Sequence, residues 1–269
     1  MKEKTFVEKT MEFSKNLTLD IVKNLLVFEN LDSTNSTAKN LARAGADEGT
    51  VVVAQTQSHG RGRFDRIWQS PKGGVYLSII LRPQIPVDKA SLLPLLTALA
   101  VAKTIDLYGI HATIKWPNDV RVNKKKIAGI LLESESTNNT IHYVVVGLGI
   151  NLHLDITQLS PEVRSQSTSL TSELGQSVDY HQFLGALFQQ FDEIYMVFRQ
   201  QKYKRLIDEW KKHSDTLGNT IWVKTPTETI QGTAYDIDKS GFLLVRTKTG
   251  TVKKILSGDC LYFDEVHKV

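Results

Sequence analysis

Three apolar runs rich in β-branched residues constrain the fold of this chain most strongly. They are TVVVAQT (50–56), VYLSIIL (75–81) and TIHYVVVGLGINL (140–152). Strands with apolar side chains on both sides must be covered on both faces of their sheet. Because helical patterns separate and follow these runs, we predict an α/β (α+β) fold in which helices flank a mixed central sheet.

The helical segments are marked by caps and by periodicity. Ser33 or Thr34 is the predicted cap of a first helix. Asp88 is the predicted cap of a longer helix, whose early turns should be distorted by Pro94 because proline has no backbone donor. Residues 179–213 have the apolar spacing of two amphipathic helices.

Tight turns join the remaining strands. Residues 111–152 alternate short apolar segments with turn sequences, which predicts antiparallel neighbours. After Ser214, short strands follow one another at close spacing, separated by PTE, DKSG and KTG turns. This texture favours a small closed barrel. We therefore predict two domains, residues 1–215 and 216–269.

Composition excludes several classes of protein. One cysteine, Cys260, rules out a disulfide framework and a multi-cysteine metal site, fits a reducing compartment and is itself expected to be buried. The N-terminus has no signal-peptide h-region, and the longest apolar run, 91–102, is too short to span a bilayer, so a cytoplasmic protein without a membrane partner is expected. A net charge of +4 suits nucleic acid, nucleotides and acidic proteins equally.

The loop GRGRFDRIW (60–68) follows the first apolar strand. Its glycines let the backbone approach a ligand closely. Arg61, Arg63 and Arg66 carry permanently charged guanidinium groups that suit phosphate or carboxylate, so the loop predicts an anion clamp. A solvated loop and a disordered RNA-binding tract are alternatives. A Walker-type loop is excluded because no G-K-[ST] follows.

A second polar stretch, KWPNDV (115–120), combines ordinary turn residues with a tryptophan and a lysine. It is either a plain turn or a rigid turn that points Asn118 and Asp119 at a nucleotide or a cation.

The third stretch is KKKIAGILLE (124–133). Lys126 is the last residue before the apolar run, so strand alternation aims it at one face of the sheet, whereas the two preceding lysines fit a solvated hairpin tip. Gly129, together with Gly147 and Gly149 in the next strand, indicates close packing against a flat group.

These motifs, in this order, resemble those of the biotin protein ligases, also called biotin–[acetyl-CoA carboxylase] ligases. The motifs that carry the resemblance are DSTN (32–35), GRGR with a following Trp (60–68), KWPND (115–119), KIAGIL (126–131) and GLGIN (147–151). The resemblance covers roughly residues 28–152. It implies a class II synthetase-like catalytic domain, and the C-terminal texture fits the SH3-like domain of the family.

The resemblance also implies an activity and its residues. Biotin is activated by ATP, with Mg²⁺, to biotinyl-5′-AMP, and is then transferred to a lysine of a biotin carboxyl carrier protein or domain of a biotin-dependent carboxylase. The implied biotin-binding residues are Ser33, Thr34, Asn35, Gln57, Arg61, Gly62, Arg63, Lys126, Gly129 and Gly147. The implied ATP-binding residues are Arg63, Arg66, Trp68, Asn118, Asp119, Lys126 and Asn151. The implied catalytic residues are Lys126, Arg61 and Arg63, and no protein side chain is assigned as a metal ligand.

Two departures from the family pattern affect what is expected. Asp65 stands where many members have a glycine, which leaves the loop path near Arg66 open. The residues before DSTN are too few for the winged helix-turn-helix of members that repress transcription, so a ligase without DNA binding is expected. Members can pair through the edge of the central sheet, so a homodimer is possible.

Two other functions compete with this interpretation. A lipoate protein ligase uses the same adenylation chemistry on a related fold, but its arginine and glycine motif before Val-Phe-His is absent from this sequence. A nucleic-acid-binding module would explain the basic pI and the Arg-Gly pairs. It would leave Lys126 and the paired strand glycines unexplained.

Overall fold

A computed structural model describes residues 4–262 of the chain. Its first group of elements is α1 (Phe6–Ser14), β1 (Asn24–Leu31), α2 (Thr34–Arg43), β2 (Thr50–Gln57), β3 (Gly74–Leu81), α3 (Leu92–Asp106), β4 (Thr113–Lys115), β5 (Asp119–Val122), β6 (Lys125–Thr137), β7 (Thr140–Asn151), α4 (Pro161–Ser165), α5 (Leu170–Leu174), α6 (Tyr180–Arg199) and α7 (Tyr203–His213). The second group is β8 (Thr220–Lys224), β9 (Thr229–Ile237), β10 (Leu243–Arg246), β11 (Val252–Ile255) and β12 (Asp259–Tyr262). Together they confirm the predicted fold class.

A seven-stranded mixed sheet organises the first group, in the order β1-β2-β3-β7-β6-β5-β4. β1 and β2 are parallel, with α2 between them in the chain, and the other neighbouring pairs are antiparallel. The antiparallel arrangement predicted for residues 111–152 is therefore confirmed. The β6–β7 hairpin turns at Asn138 and Asn139, whose φ values of 51° and 60° lie in the left-handed region that asparagine tolerates.

One face of the sheet carries the main core. α3 lies against it, and twelve of its fifteen residues are buried. α6 and α7 pack against α3. Their apolar stripes, which include Phe183, Phe191 and Trp210, are buried as the amphipathic pattern predicted. In residues 4–262, no helix has both the length and the apolar character that crossing a bilayer requires.

The start of α3 differs from the prediction. The helix begins after Ser91, while Asp88 lies in a short 3₁₀ turn and accepts a 2.7 Å hydrogen bond from Ser240 Oγ. Pro94 is the third helical residue, where a backbone N–H would have no partner within the helix, so proline is accommodated. The carboxylate of Asp88 therefore accepts a hydrogen bond from a distant residue, Ser240, and does not cap α3 as predicted.

The opposite face of the sheet is covered over only part of its area. α2, capped by Ser33 as predicted, places Ala38 and Ala42 against Val52, Ile80 and Val145. Beyond the N-terminal end of α2, the same face continues over the glycines of β6 and β7. That half of the sheet is covered by the loop between β2 and β3.

The second group of strands forms a separate antiparallel sheet, in the order β11-β10-β9-β8-β12. Four of its strands were predicted, and β12, which holds the buried Cys260, was not. Trp116 is buried between the two groups and donates from Nε1 to Gly241 O at 3.0 Å. The predicted second domain extends to residue 269, and its last seven residues lie outside the described part of the chain.

α1 was not expected from the apolar pattern. It begins with a capping box, in which Thr5 and Glu8 each accept a hydrogen bond from the other's backbone N–H. The Thr-x-x-Glu spacing of Thr5 and Glu8 is a sequence signal for the start of a helix and could have predicted α1.

Candidate active site

The candidate site lies on the half of the sheet face that α2 leaves uncovered. The loop of residues 58–73 crosses this half, and it is attached at its base by a backbone bond from Gln57 N to Ser70 O. A second bond, 2.8 Å from Trp68 N to Gly60 O, closes the loop on itself. The loop predicted to be an anion clamp therefore lies over Gly129 and Gly149 of the sheet.

The start of α2 supplies a buried polar pocket. Ser33, Thr34 and Asn35 are 2–4% exposed, although all three side chains are polar. Ser33 Oγ accepts from the N–H of Ser36 and caps the helix. The backbone N–H of Thr34 donates to Gln57 Oε1 at 2.8 Å, and Gln57 Nε2 donates to Ser70 Oγ at 2.8 Å. Thr34 and Gln57 are thus joined in one network, which Ser78 extends to Asn35, whereas Ser33 serves as the helix cap.

Asn35 is held from two sides. Its Nδ2 donates to Glu133 Oε2 at 3.1 Å, and its Oδ1 lies 2.6 Å from the Ser78 hydroxyl. A Cβ atom at Gly147 would overlap Asn35 Oδ1. The glycine is therefore required by the asparagine next to it, which gives the predicted close packing a specific partner.

The strip of sheet face between Asn35 and Lys126, along Gly129, Gly147 and Gly149 and under the loop, is called the slot below. Trp68 of the loop lies over it. A Cβ at Gly149 would overlap its indole ring, and a Cβ at Gly129 would lie 3.0 Å from its Cζ3. The indole Nε1 is buried and has no hydrogen-bond partner among residues 4–262. A buried donor without an acceptor is unfavourable, and this one lies against Gly149 of β7.

Lys126 is fixed through its side chain and its backbone. Nζ lies 2.6 Å from Asp119 Oδ1 and 5.2 Å from the centre of the Trp68 ring. The backbone of Lys126 donates to Gln166 O at 2.7 Å and accepts from Thr168 N at 3.0 Å. Lys126 alternates with the buried Ile127, as predicted. The register shift opposite Val120 and Arg121 then places its ammonium on the same face as Gly129, which strict alternation would not do.

Arg63 lies beside the same turn and also contacts the C-terminal sheet. Its guanidinium donates to Asn118 Oδ1 at 3.1 Å and to Gly258 O at 3.1 Å. Burial lowers the pKa of Arg63 below its ordinary value, and the negative charges of Asp259 and Asp119 oppose this effect. Arg66 pairs with the carboxylate of Asp259. Two clamp arginines are thus held by the turn between β11 and β12.

Arg61 points to the other end of the slot. Its guanidinium donates to both carboxylate oxygens of Glu133, at 3.1 and 3.2 Å. Lys39 Nζ lies 2.7 Å from the same carboxylate. Burial raises the pKa of Glu133, but the hydrogen bonds from Lys39 and Asn35 and the charge of Arg61 outweigh it, so the pKa is lowered. The three predicted catalytic cations line one slot but have separate partners.

Asp65 adopts a backbone conformation that glycine would accept more easily. Its φ is 56°, and the preceding Phe64 has a φ of 54°. A non-glycine residue in this region costs roughly 1 kcal/mol or more. The chain therefore keeps the tight turn at this position without the glycine of the family pattern.

Asn151 lies deeper in the fold than its predicted role suggests. It is 3% exposed and its Nδ2 donates to Thr168 O at 2.9 Å. This bond anchors the segment that follows β7, the same segment that pairs with the backbone of Lys126.

Several residues at the site were not predicted from the sequence. Ser78 is fully buried and is the only polar residue in VYLSIIL, which was a usable signal. Glu133 is the first charge after an apolar run. Gln69 exchanges two hydrogen bonds with Ser160, at 2.9 and 3.0 Å, and joins the clamp loop to the segment after β7. No local pattern marks Gln69 or Asp259 as part of the site.

Comparison with known proteins identifies the family. Residues 27–151 match the model of the Biotin/lipoate A/B protein ligase family, and residues 216–261 match the Biotin protein ligase C terminal domain. The chain is 36% identical over 239 residues to the "Bifunctional ligase/repressor BirA" of Bacillus subtilis, covering 88% of this chain and 73% of that protein. It is 34% identical over 224 residues to the "Biotin--[acetyl-CoA-carboxylase] ligase" of Paracoccus denitrificans, covering 81% and 92%.

A solved structure agrees with these relatives. The structure of "Biotin protein ligase from Aquifex aeolicus in complex with biotin and ATP" superposes with a TM-score of 0.76 at 29% identity, covering 89% of this chain and 98% of that one. The fold, the motifs and both family models agree, and the chain is a member of the biotin protein ligase family.

Proposed function

We propose that this chain activates biotin with ATP to biotinyl-5′-AMP and then transfers the biotinyl group to a lysine of a carboxyl carrier protein or domain. The observation that carries the proposal is the arrangement of one slot. A neutral, buried polar pocket lies at the start of α2, and the cations Lys126 and Arg63 lie beside the 118–119 turn. Biotin has the matching polarity, with a neutral ureido ring and a carboxylate tail.

The polar pocket is assigned to the ureido ring. Ser33, Thr34, Asn35 and Gln57 offer both donors and acceptors, which an N–H and C=O edge requires. The apolar bicycle is assigned to the sheet face at Gly129 and Gly147, where no side chain projects toward the loop. Trp68 and Asn35 lie against these two glycines in this structure, so they would have to move aside for the bicycle.

The cations are assigned to the reacting groups. The biotin carboxylate is ionised at neutral pH, so an oxygen of this group attacks the α-phosphorus of ATP without a general base. The new O–P bond forms as the bond to the β-phosphate oxygen breaks and pyrophosphate leaves. Arg63 and Lys126 reduce the repulsion between two anions and stabilise the charge that develops. Arg61 is proposed to assist them after it leaves Glu133, its partner at the other end of the slot in this structure. The nucleotide is assigned to Arg63, Arg66, Trp68, Asn118, Asp119, Lys126 and Asn151.

Mg²⁺ is proposed to enter the site bound to the phosphates of ATP. The part of the chain that the structure describes contains no group of three or more histidine, cysteine or acidic side chains able to hold a metal ion. Magnesium often keeps few protein ligands and binds substrate phosphates, which fits this site. The carboxylate of Asp119 is the acidic group nearest to Lys126 and can contribute one oxygen. The ion would supply charge neutralisation of the pyrophosphate that departs.

The second half-reaction transfers the acyl group. A neutral lysine amine of the acceptor attacks the acyl carbon of the mixed anhydride, an amide bond forms and AMP leaves. We propose a biotin-dependent carboxylase as the source of the acceptor lysine. The loop 58–73, which covers the slot, excludes water from the anhydride while it waits for the acceptor.

Three organisational expectations are kept as proposals. The catalytic domain comprises residues 1–215 and the SH3-like domain residues 216–269. The protein acts in the cytoplasm as a ligase. Two copies can pair through the edge of the central sheet.

The test is isotope exchange between pyrophosphate and ATP. We expect exchange that depends on biotin and that lipoate does not support. Incubation with biotin, ATP and a carboxyl carrier domain should then modify one lysine, detected as the mass of one biotinyl group. Exchange with lipoate but not with biotin would replace this proposal with lipoate ligation.

A further inference from the structure

Glu133 receives three hydrogen-bonding partners at the end of the slot where the polar pocket begins. They are Asn35 at 3.1 Å, Lys39 at 2.7 Å and Arg61 at 3.1 and 3.2 Å. The Glu133 side chain is 17% exposed. It lies on β6 opposite Val145 of β7. None of the roles proposed above uses this carboxylate.

The three partners differ in how strongly they depend on Glu133. The side chain of Arg61 is 42% exposed, so solvent screens its ion pair and the pair contributes little. Asn35 is 4% exposed, so its amide has little access to water. A hydrogen bond to a charged group in such a position contributes more than an exposed ion pair, and its loss leaves a buried donor without a partner. Lys39, at 2.7 Å, is the shortest contact, but its side chain is 25% exposed and keeps access to water. Of the three partners, the buried Asn35 therefore depends most on Glu133.

The carboxylate also decides which way the Asn35 amide faces. An ionised carboxylate only accepts hydrogen bonds, so it selects the orientation with Nδ2 toward Glu133 and Oδ1 toward Ser78. The reversed amide would place two oxygens against each other. Ser78 alone does not make this choice, because a hydroxyl both donates and accepts.

We propose that Glu133 is a positioning residue for biotin recognition: it fixes the Asn35 carboxamide in the orientation that the ureido ring requires. This inference rests on the proposed function, in which Asn35 contacts biotin. After Glu133 has taken one N–H and Ser78 one lone pair, the amide keeps one donor and one acceptor. That pair of groups is complementary to the N–H and C=O of a ureido ring.

The experiment measures biotin affinity by calorimetry and the kinetics of biotin-dependent exchange in the full chain. Glu133→Ala is expected to raise the Kd for biotin about tenfold, the factor that a lost hydrogen bond to a charged group gives. Glu133→Gln, which has the same shape but permits both amide orientations, is expected to give a smaller increase. The KM for ATP should not change, because no residue assigned to the nucleotide is among the hydrogen-bond partners of Glu133.

Double variants identify the intermediary residue. In an Asn35→Ala background, Glu133→Ala is expected to cause no further loss of biotin affinity, because the residue it acts through is gone. In an Arg61→Ala background, the loss is expected to persist. The matched control is Glu135→Gln on the same strand, whose carboxylate binds Arg43 and Tyr143 and should leave biotin affinity unchanged.

Three results would overturn the inference. They are an unchanged biotin Kd in both Glu133 variants, an effect that disappears in the Arg61→Ala background instead of the Asn35→Ala background, and an equal effect of Glu135→Gln.

Thermal unfolding separates positioning from a general loss of structure, since a merely structural role would lower Tm and raise the KM values for biotin and ATP together. If the unaltered chain bound no biotin, the proposed function would fail as well, whereas binding with no effect at Glu133 would contradict this inference alone.

Discussion

The ammonium of Lys126 lies 2.6 Å from the carboxylate of Asp119, at the point where β5 and β6 begin to pair. Both side chains are about one-third exposed or less, at 34% and 27%. A partly exposed ion pair is worth only about 0–1 kcal/mol, so its exchange for a phosphate costs little. Asp119 therefore positions the ammonium of Lys126 at the edge of the slot, and the ammonium can still exchange this carboxylate for a phosphate.

Replacing Lys126 with alanine should abolish most of the adenylation activity. Losing one preorganised charge at the reacting group lowers rates by roughly 10²–10³-fold. Biotin-dependent pyrophosphate exchange measures the effect, and the matched control is Lys125→Ala, because Lys125 is exposed at the hairpin tip. Near-normal exchange in Lys126→Ala, with an intact fold by circular dichroism, would remove its assigned role.

Alanine at position 147 should impair biotin binding. The added methyl group overlaps Asn35 Oδ1, so the asparagine must move and lose its bonds to Ser78 and Glu133. Overpacking of this kind costs about 1–3 kcal/mol. We expect calorimetry to show a biotin Kd that is higher by roughly five- to 150-fold, the range to which this cost corresponds.

The control for this variant is Gly185→Ala. A Cβ there would meet only Phe13, at 3.5 Å, and the position lies inside α6. Alanine in a helix interior is favoured over glycine by about 0.8–1 kcal/mol, so stability should rise slightly and biotin binding should not change. Equal biotin affinity in both variants would contradict the slot assigned to Gly147.

Asp259→Asn should weaken ATP use more than biotin binding. The carboxylate pairs with Arg66 and lies 3.9 Å from Arg63, so its loss releases two guanidinium groups assigned to the nucleotide. We expect the KM for ATP to rise by roughly fivefold, which corresponds to about 1 kcal/mol.

The comparison for Asp259 is Glu228→Gln, in the same sheet. Glu228 forms a pair with Lys253, and its side chain is 51% exposed. Its KM for ATP should match that of the unaltered chain. If Asp259→Asn and Glu228→Gln had the same KM for ATP, the contact between Asp259 and the two arginines would have no role in nucleotide binding.

The sequence predicted the sheet because burial on both faces imposes long apolar runs, which local periodicity records. It did not predict the start of α3, because the carboxylate of Asp88 is taken by Ser240, 152 residues away in the chain. It also missed β12, which is only four residues long and of mixed polarity.

At the site, too, the residues marked by a local sequence pattern were predicted, and those defined by distant contacts were not. Lys126, Gly129 and Gly147 were predicted from strand alternation and from glycines in strands. Glu133 and Asp259 were not, because their roles come from contacts with Asn35 and Arg66, which lie 98 and 193 residues away in the chain. A single sequence contains no local pattern that reports such distances.

Asp238→Asn should destabilise the C-terminal sheet at neutral pH and not in acid. The carboxylate of Asp238 accepts from the backbone N–H groups of Ser240 and Phe242, at 2.8 and 3.0 Å, and pairs with Lys254 at 2.6 Å. Burial raises the pKa of Asp238, but these partners outweigh it and the pKa is lowered. The unfolded chain then binds the proton more readily than the folded chain, so stability from this group is present at neutral pH.

That contribution is lost as the pH falls below about 3.9, the ordinary aspartate value, and through the lower pKa of the folded state. Thermal unfolding at a series of pH values should show a Tm deficit for Asp238→Asn at pH 7, equivalent to about 1–2 kcal/mol, that closes in this acid range. Asp208→Asn, which breaks an exposed pair with Lys204 on α7, should show almost no deficit. A deficit for Asp238→Asn that stays constant down to the acid range would mean that the carboxylate acts through its shape and not through its charge.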